Sequence, residues 1–137
     1  MEFLARVAAS LSELYSVALA LPLVELETSG IGTEPRSHEA WTALYNSLGE
    51  KLGPLNLYWT VFDSTVHEES IVGTLADDIS DIYFDLKKEL QLVQRSGATD
   101  ADAVWHVRFG FFQHWGQHLT SALKAIHDLM SRSHLDE

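Results

Sequence analysis

Two helix-start signals separated by a glycine turn lie in the second half of the chain, and they limit the possible folds more than any other feature of the sequence. Thr74 and Thr99 are each followed three residues later by an aspartate, a pattern typical of a side chain that caps a helix N-terminus. Gly97 lies between the two signals, where the first helix can end. We therefore predict helices over 75–96 and 100–130 that pack antiparallel as a hairpin.

Apolar residues recur every three or four positions in both predicted helices, which is the spacing of an amphipathic helix. On the first helix they are Leu75, Ile79, Ile82, Leu86, Leu90 and Val93, and on the second Val104, Phe111, Phe112, Trp115, Leu119, Ala122, Leu123, Ile126 and Met130. Each helix thus has one face that must be buried against another element.

The first half of the chain predicts two further helices joined by a loop. Glu2 and Arg6 open an apolar but interrupted stretch that ends near Leu21, before Pro22, and this pattern indicates an amphipathic helix rather than a signal peptide. The segment 27–37 is rich in Gly, Thr, Ser and Pro and is typical of a surface loop. A second helix is expected from the cap at Ser37 to the Gly53-Pro54 stop.

The aromatic and β-branched segment 55–63 is expected to be extended or a turn, because the sequence offers it no partner of similar character. No sheet larger than a hairpin is expected. The predicted fold is an all-α, up-and-down bundle of about four helices, a single domain over 1–137, with a long C-terminal helical hairpin.

Composition excludes several function classes. The 137 residues include 9 Lys+Arg and 20 Asp+Glu, a formal net charge of -11, so neither nucleic acid nor an anionic membrane surface is an expected partner. The chain contains no Cys, which excludes disulfides and thiolate chemistry and is compatible with the cytoplasm, the location we expect.

A cationic residue falls on the apolar face of the last helix. At 100° per residue, Arg108 lies in the middle of that face, where burial without a counter-charge would cost several kcal/mol. In a hairpin that turns at Gly97, residues of equal height have numbers that sum to roughly 195, because both helices rise equally per residue. Arg108 is therefore expected to be buried and bonded to Asp85 or Glu89, and the alternative is that its aliphatic stem carries the charge to the rim of the bundle.

The same height rule predicts a cluster of acidic residues and histidines. His114 is level with Asp81, and His118 is level with Asp77 and Asp78, while the two imidazoles share one helix edge at i, i+4 spacing. Histidine and carboxylate ligands at one height can bind zinc, manganese or iron, so a divalent metal is a possible cofactor with His114, His118, Asp81 and Asp78 as ligands. A hydrogen-bonded network that includes Trp115 and needs no metal is the alternative.

The remaining histidines have no such partner in the sequence and are expected to be solvated or at the rim of the bundle. They are His38, His67, His106, His127 and His134.

Two motifs resemble a known family. The segments LADDISDIYFDLK over 75–87 and WHVRFGFFQHWGQH over 105–118, preceded by YWTVFD over 58–63 and by Gly73-Thr74, are similar to bacterial domain-of-unknown-function family 5063. The resemblance implies an all-helical, bacterial, cytoplasmic protein, and it implies no activity. The positions that match, which are also the candidate polar cluster predicted from the sequence, are Asp77, Asp78, Asp81, Asp85, Arg108, His114, Trp115 and His118.

Two classes of function are consistent with these observations. The absence of any complete catalytic motif and the abundance of Trp, Tyr and Phe favour a non-catalytic module that binds a protein partner or a second copy of itself. The Asp and His residues between the two long helices indicate the alternative, a divalent-metal-dependent hydrolase that could act on a phosphorylated small molecule.

Overall fold

The computed structural model describes residues 1–32, 35–95 and 97–136 and is predominantly α-helical, as predicted. Its helices are α1 (Glu2–Leu19), α2 (His38–Leu52), α3 (Leu75–Leu90), α4 (Asp100–Gly110) and α5 (Gly116–Leu135), and its strands are β1 (Leu57–Thr60) and β2 (Ile71–Thr74). Short 3₁₀ turns follow α2 at Gly53–Asn56 and α3 at Gln91–Gln94. No helix of the described residues is long and apolar enough to cross a membrane.

Side-chain caps begin three of the helices at the predicted positions. Ser37 Oγ accepts a hydrogen bond from the Ala40 amide, and Thr74 Oγ1 accepts one from the Asp77 amide. Thr99 and Asp102 form a complete capping box at the start of α4. The first long helix ends earlier than predicted, at Leu90, and the predicted end at Ser96 lies outside the described residues.

The core lies where α1, α3 and α5 pack together, and α3 also packs along α2. Its fully buried residues include Leu4, Leu75, Trp115, Leu119 and Ile126. Asp102 also holds the segment after α1, because its carboxylate accepts hydrogen bonds from the backbone amides of Glu27 and Thr28. The predicted hairpin of two long helices is present, with α3 against both α4 and α5.

The prediction that segment 55–63 has no partner is wrong. β1 pairs antiparallel with β2 in the register Leu57↔Thr74 to Thr60↔Ile71. β2 is only four residues long and runs directly into α3, so its strand character is weak in the sequence. Gly73 suits this pair because a Cβ at that position would lie 2.7 Å from the Tyr58 ring.

The second long helix is interrupted by a π-helical turn, Phe111–Trp115, between α4 and α5. Gly116 is needed there, since a Cβ on it would lie 2.1 Å from the Phe111 carbonyl oxygen. A π turn inserts about one extra residue, which rotates the helix before it by roughly 100° relative to an uninterrupted α-helix. Val107 therefore packs against the core in the position that uninterrupted periodicity assigns to Arg108.

The prediction of a buried Arg108 paired with Asp85 or Glu89 is accordingly wrong. Arg108 is half-buried, and its guanidinium lies over the Phe112 ring, 5.1 Å from the centroid. Among the residues described, no carboxylate lies within ion-pair distance of it.

Candidate metal-binding site

Four aspartates of α3 face two histidines of the second long helix, and we call this group the Asp/His cluster: Asp77, Asp78, Asp81, Asp85, His114 and His118. Asp78, Asp81 and Asp85 are buried although they are charged, while Asp77 is partly exposed. His114 comes from the π turn and His118 from the first turns of α5. The structure thus brings together six of the eight site residues predicted from the sequence.

Three atoms form a small triangle at the centre of the cluster. The Nε2 atoms of His114 and His118 are 3.2 Å apart. Asp81 Oδ2 lies 3.4 Å from the first of these nitrogens and 3.1 Å from the second. Three groups that can each donate a lone pair therefore converge on one point.

The other ring nitrogen of each histidine binds a carboxylate. His114 Nδ1 lies 2.5 Å from Asp85 Oδ2, and His118 Nδ1 lies 2.8 Å from Asp78 Oδ1. Such contacts fix the orientation of an imidazole and place the proton on Nδ1. Asp78 therefore lies behind the His118 ring, on the opposite side from Nε2. Asp77 Oδ2 is 3.8 Å from the same Nδ1 and is more loosely associated.

The first half of the chain supplies three further contacts that sequence reasoning missed. Asp81 Oδ1 accepts hydrogen bonds from Trp41 Nε1, at 2.7 Å, and from Arg36 Nη1. The Tyr58 hydroxyl donates to Asp78 Oδ2. These residues lie on α2, on the segment before it and on β1, and no local pattern in the sequence connects them with α3.

These contacts shift the pKa values of His118, Asp81 and Tyr58. Burial lowers the pKa of His118, but hydrogen bonds to Asp78 and Asp81 outweigh burial and raise this pKa to about 10. Burial raises the pKa of Asp81, yet hydrogen bonds from His118, Trp41 and Arg36 prevail and hold it well below its usual range. Burial and the bond to Asp78 raise the pKa of Tyr58, which keeps its hydroxyl a donor. In the absence of a cation, a protonated His118 thus bridges two carboxylates.

Two residues of the predicted cluster lie elsewhere. Trp115 is fully buried in the hydrophobic core, and its indole nitrogen donates to the Val107 carbonyl rather than to a cluster residue. Arg108 contacts Phe112, as described above. The residue of α4 that lies near Glu89 is instead His106, whose Nδ1 is 3.7 Å from Glu89 Oε2. The expectation that His106 has no acidic partner is therefore wrong.

The arrangement can do two kinds of chemistry. The three convergent atoms of Asp81, His114 and His118 can bind a divalent cation, since neutral imidazole and carboxylate are common metal ligands. His114 has 48% of its side chain exposed, so the triangle can be reached from solvent. Without a cation, the same groups form a hydrogen-bonded network between α3 and α5.

The fold and this site together define a small helical-bundle protein that carries an Asp/His cluster between two long helices. The chain belongs to the DUF5063 family, described as a domain of unknown function, whose model matches residues 1–132. It is also similar to a solved structure, the crystal structure of protein BF1032 from Bacteroides fragilis. That similarity has 25% identity and a TM-score of 0.76, and it covers 93% of this chain and 75% of the other. No curated protein matches the sequence.

Proposed function

We propose that the protein binds a divalent transition metal through Asp81, His114 and His118 and uses it to activate water in a hydrolytic reaction. One observation carries this proposal: Asp81 Oδ2 and the two Nε2 atoms lie 3.1 to 3.4 Å from one another. Ligands about 2.0 to 2.1 Å from a tetrahedral zinc ion are separated from each other by roughly 3.3 Å. The triangle thus has the dimensions of three ligands around one ion.

The ligand set also has the composition of a catalytic site rather than a closed structural one. Two histidines and one carboxylate form the triad typical of metal sites with open positions. Catalytic zinc sites likewise have three protein ligands and leave a position for water, whose pKa the metal lowers. The exposed side of His114 provides the route by which water and a substrate reach these positions.

The carboxylates behind the histidines support the same proposal. Asp85 and Asp78 bind the Nδ1 atoms of His114 and His118, which directs both Nε2 lone pairs toward the ion. Arg36 and Trp41 hold Asp81 Oδ1 and leave Oδ2 for the metal. Each proposed ligand is therefore oriented by a second residue.

Titration of metal-free protein with Zn²⁺ and Mn²⁺, measured by calorimetry, tests metal binding. We expect saturable binding with a Kd of about 1 μM or tighter, lost in the double variant His114→Ala/His118→Ala. His127→Ala is the matched control, because His127 is an exposed histidine of the same helix and lies outside the cluster. Equal weak binding by parent and double variant would contradict the proposal and leave the hydrogen-bonded network as the role of these residues.

A kinetic experiment tests the hydrolytic step. Metal-loaded parent protein should hydrolyse an aryl phosphate faster than metal-free parent and than the metal-treated double variant. Rates that are the same in all three samples would contradict the hydrolytic proposal.

Binding of a protein partner or of a second copy is the second candidate function. Trp59 and Val72 are paired across the hairpin, and these residues are 73% and 53% exposed. Phe62, just after β1, is 69% exposed. Sedimentation velocity at rising concentration tests self-association, which the double variant Trp59→Ser/Phe62→Ser should abolish. A concentration-independent monomer would exclude the second-copy form of this candidate.

A further inference from the structure

A small cleft next to the Asp/His cluster collects positive charge in a protein with a net charge of -11. It has a volume of about 170 Å³ and lies between the start of α2 and the C-terminal half of α3. Arg36, Lys87 and Lys88 line it, together with Ser37 and Gln91. Three of the chain's 9 Lys and Arg residues thus surround one cleft, and among the residues that the structure describes none that lines it is acidic.

The three cations of the cleft each keep N–H donors that their present contacts do not use. Lys88 Nζ is 3.8 Å from Asp85 Oδ1, which is an ion-pair distance but longer than a hydrogen bond. Lys87 Nζ lies over the Tyr83 and Phe84 rings, 5.8 Å from each centroid. Arg36 uses Nη1 to bind Asp81, and a guanidinium has five N–H donors. An oxyanion in the cleft would find both charge and donors.

Arg36 and Lys88 also connect the cleft to the proposed metal site. Arg36 binds Oδ1 of Asp81, whose Oδ2 belongs to the central triangle. Lys88 pairs with Asp85 Oδ1, while Asp85 Oδ2 binds His114. Two residues that line the cleft, Arg36 and Lys88, therefore contact two residues of the Asp/His cluster directly.

From this arrangement we infer that the cleft binds the phosphate group of a phosphorylated small molecule and places that substrate beside the metal. Three cations around one small volume suit a dianionic phosphate better than a monoanionic carboxylate. Pockets for whole drug-sized ligands measure about 300 to 1,000 Å³, so this cleft is large enough for a phosphate group but not for an entire substrate. The reaction of the bound substrate rests on the proposed function, whereas the binding of phosphate in the cleft does not.

Titration of the metal-free full chain with inorganic phosphate at low ionic strength, followed by ³¹P NMR and calorimetry, tests the inference. We expect a Kd of about 10 mM or tighter for the parent, and at least tenfold weaker binding for the double variant Lys87→Gln/Lys88→Gln. Lys124→Gln is the matched control, because Lys124 is an exposed lysine of α5 that pairs with Asp128. This variant should bind phosphate as the parent does. A second titration with acetate should give much weaker binding in every variant.

Three results would overturn the inference: no phosphate binding by the parent, equal phosphate binding by the parent and the double lysine variant, or acetate binding as tight as phosphate binding. A repeat with Mn²⁺ present separates this inference from the proposed function. If manganese binds, its positive charge should tighten phosphate binding. If manganese does not bind but phosphate binding still depends on the two lysines, the metal proposal fails and the anion site remains.

Discussion

Two buried carboxylates of α3, one toward each end of the helix, differ in their hydrogen-bond partners. Toward the N-terminus, Asp81 accepts hydrogen bonds from Trp41 and Arg36 and contacts both cluster histidines. Toward the C-terminus, Glu89 is equally buried, but within the described part of the chain its Oε2 atom has no hydrogen-bond partner. The two carboxylates lie on one helix and share the same degree of burial, so only their partners differ.

The consequence is an opposite response to burial. The pKa of Asp81 is held below its usual range by its donors, whereas burial raises the pKa of Glu89 to about 7 despite the nearby Lys88. His106 cannot compensate Glu89, because burial lowers the pKa of His106 and favours its neutral form. Whether a buried carboxylate of α3 is stabilised in its charged form thus depends on donors from other elements of the fold, not on its position along α3.

The largest loss of stability is expected from a change at the π turn, which sets the orientation of α4 relative to α5. Gly116→Ala places a Cβ against the Phe111 carbonyl, so the turn must deform, which we expect to cost about 3 kcal/mol of unfolding free energy. Metal affinity should fall as well, because His114 lies within this turn. Urea denaturation and metal titration measure both effects.

Gly49→Ala is the control for this prediction. Gly49 lies within α2, and the nearest atom to its added Cβ is Asn56 Nδ2 at 3.8 Å, so this change should be neutral or slightly stabilising. Similar stabilities for the two variants would show that the π turn is not a constraint.

Removal of one orienting carboxylate should have the next largest effect at the N-terminal end. In Asp85→Asn the His114 ring loses its charged partner, and we expect metal affinity to fall by about tenfold to a hundredfold. Calorimetric titration with Zn²⁺ measures the change. An affinity equal to that of the parent would show that Asp85 does not orient the ligand.

At the C-terminal end, the stability of the protein should depend on Glu89 and on pH. Because the folded pKa of about 7 exceeds the unfolded value of 4.5, the folded state retains a proton that the unfolded state releases. Stability from this group is present below pH 4.5, falls as the pH rises to about 7, and stays low above that value. Glu89→Gln should flatten this decline and stabilise the protein at pH 8 by on the order of 1 to 2 kcal/mol.

Denaturation of parent and Glu89→Gln at several pH values between 4.5 and 8 measures this difference. A difference that does not vary with pH would show that Glu89 is ionised throughout this range.

The smallest effect is expected for Arg108. Arg108→Ala removes a contact with Phe112, a residue that is 61% exposed, so the loss should be about 0.5 kcal/mol. Chemical denaturation measures it. A loss of several kcal/mol would mean that Arg108 neutralises a buried carboxylate after all.

The sequence alone determined where the long helices begin and which residues share a height. Thr74 and Thr99 cap α3 and α4 through contacts with residues three positions away, and such local contacts depend little on the rest of the fold. The constant rise per residue and a turn at Gly97 were enough to place His114 and His118 level with the aspartates.

Tertiary structure decided the phase of α4 and the partners of the buried carboxylates. The π turn, whose Phe111 and Trp115 are buried in the core, rotates α4 so that Val107 faces inward instead of Arg108. Trp41 and Tyr58 reach Asp81 and Asp78 from elements 40 and 20 residues away along the chain. Such contacts leave no periodic signal in the sequence, because they depend on how whole elements pack and not on the spacing of residues within one of them.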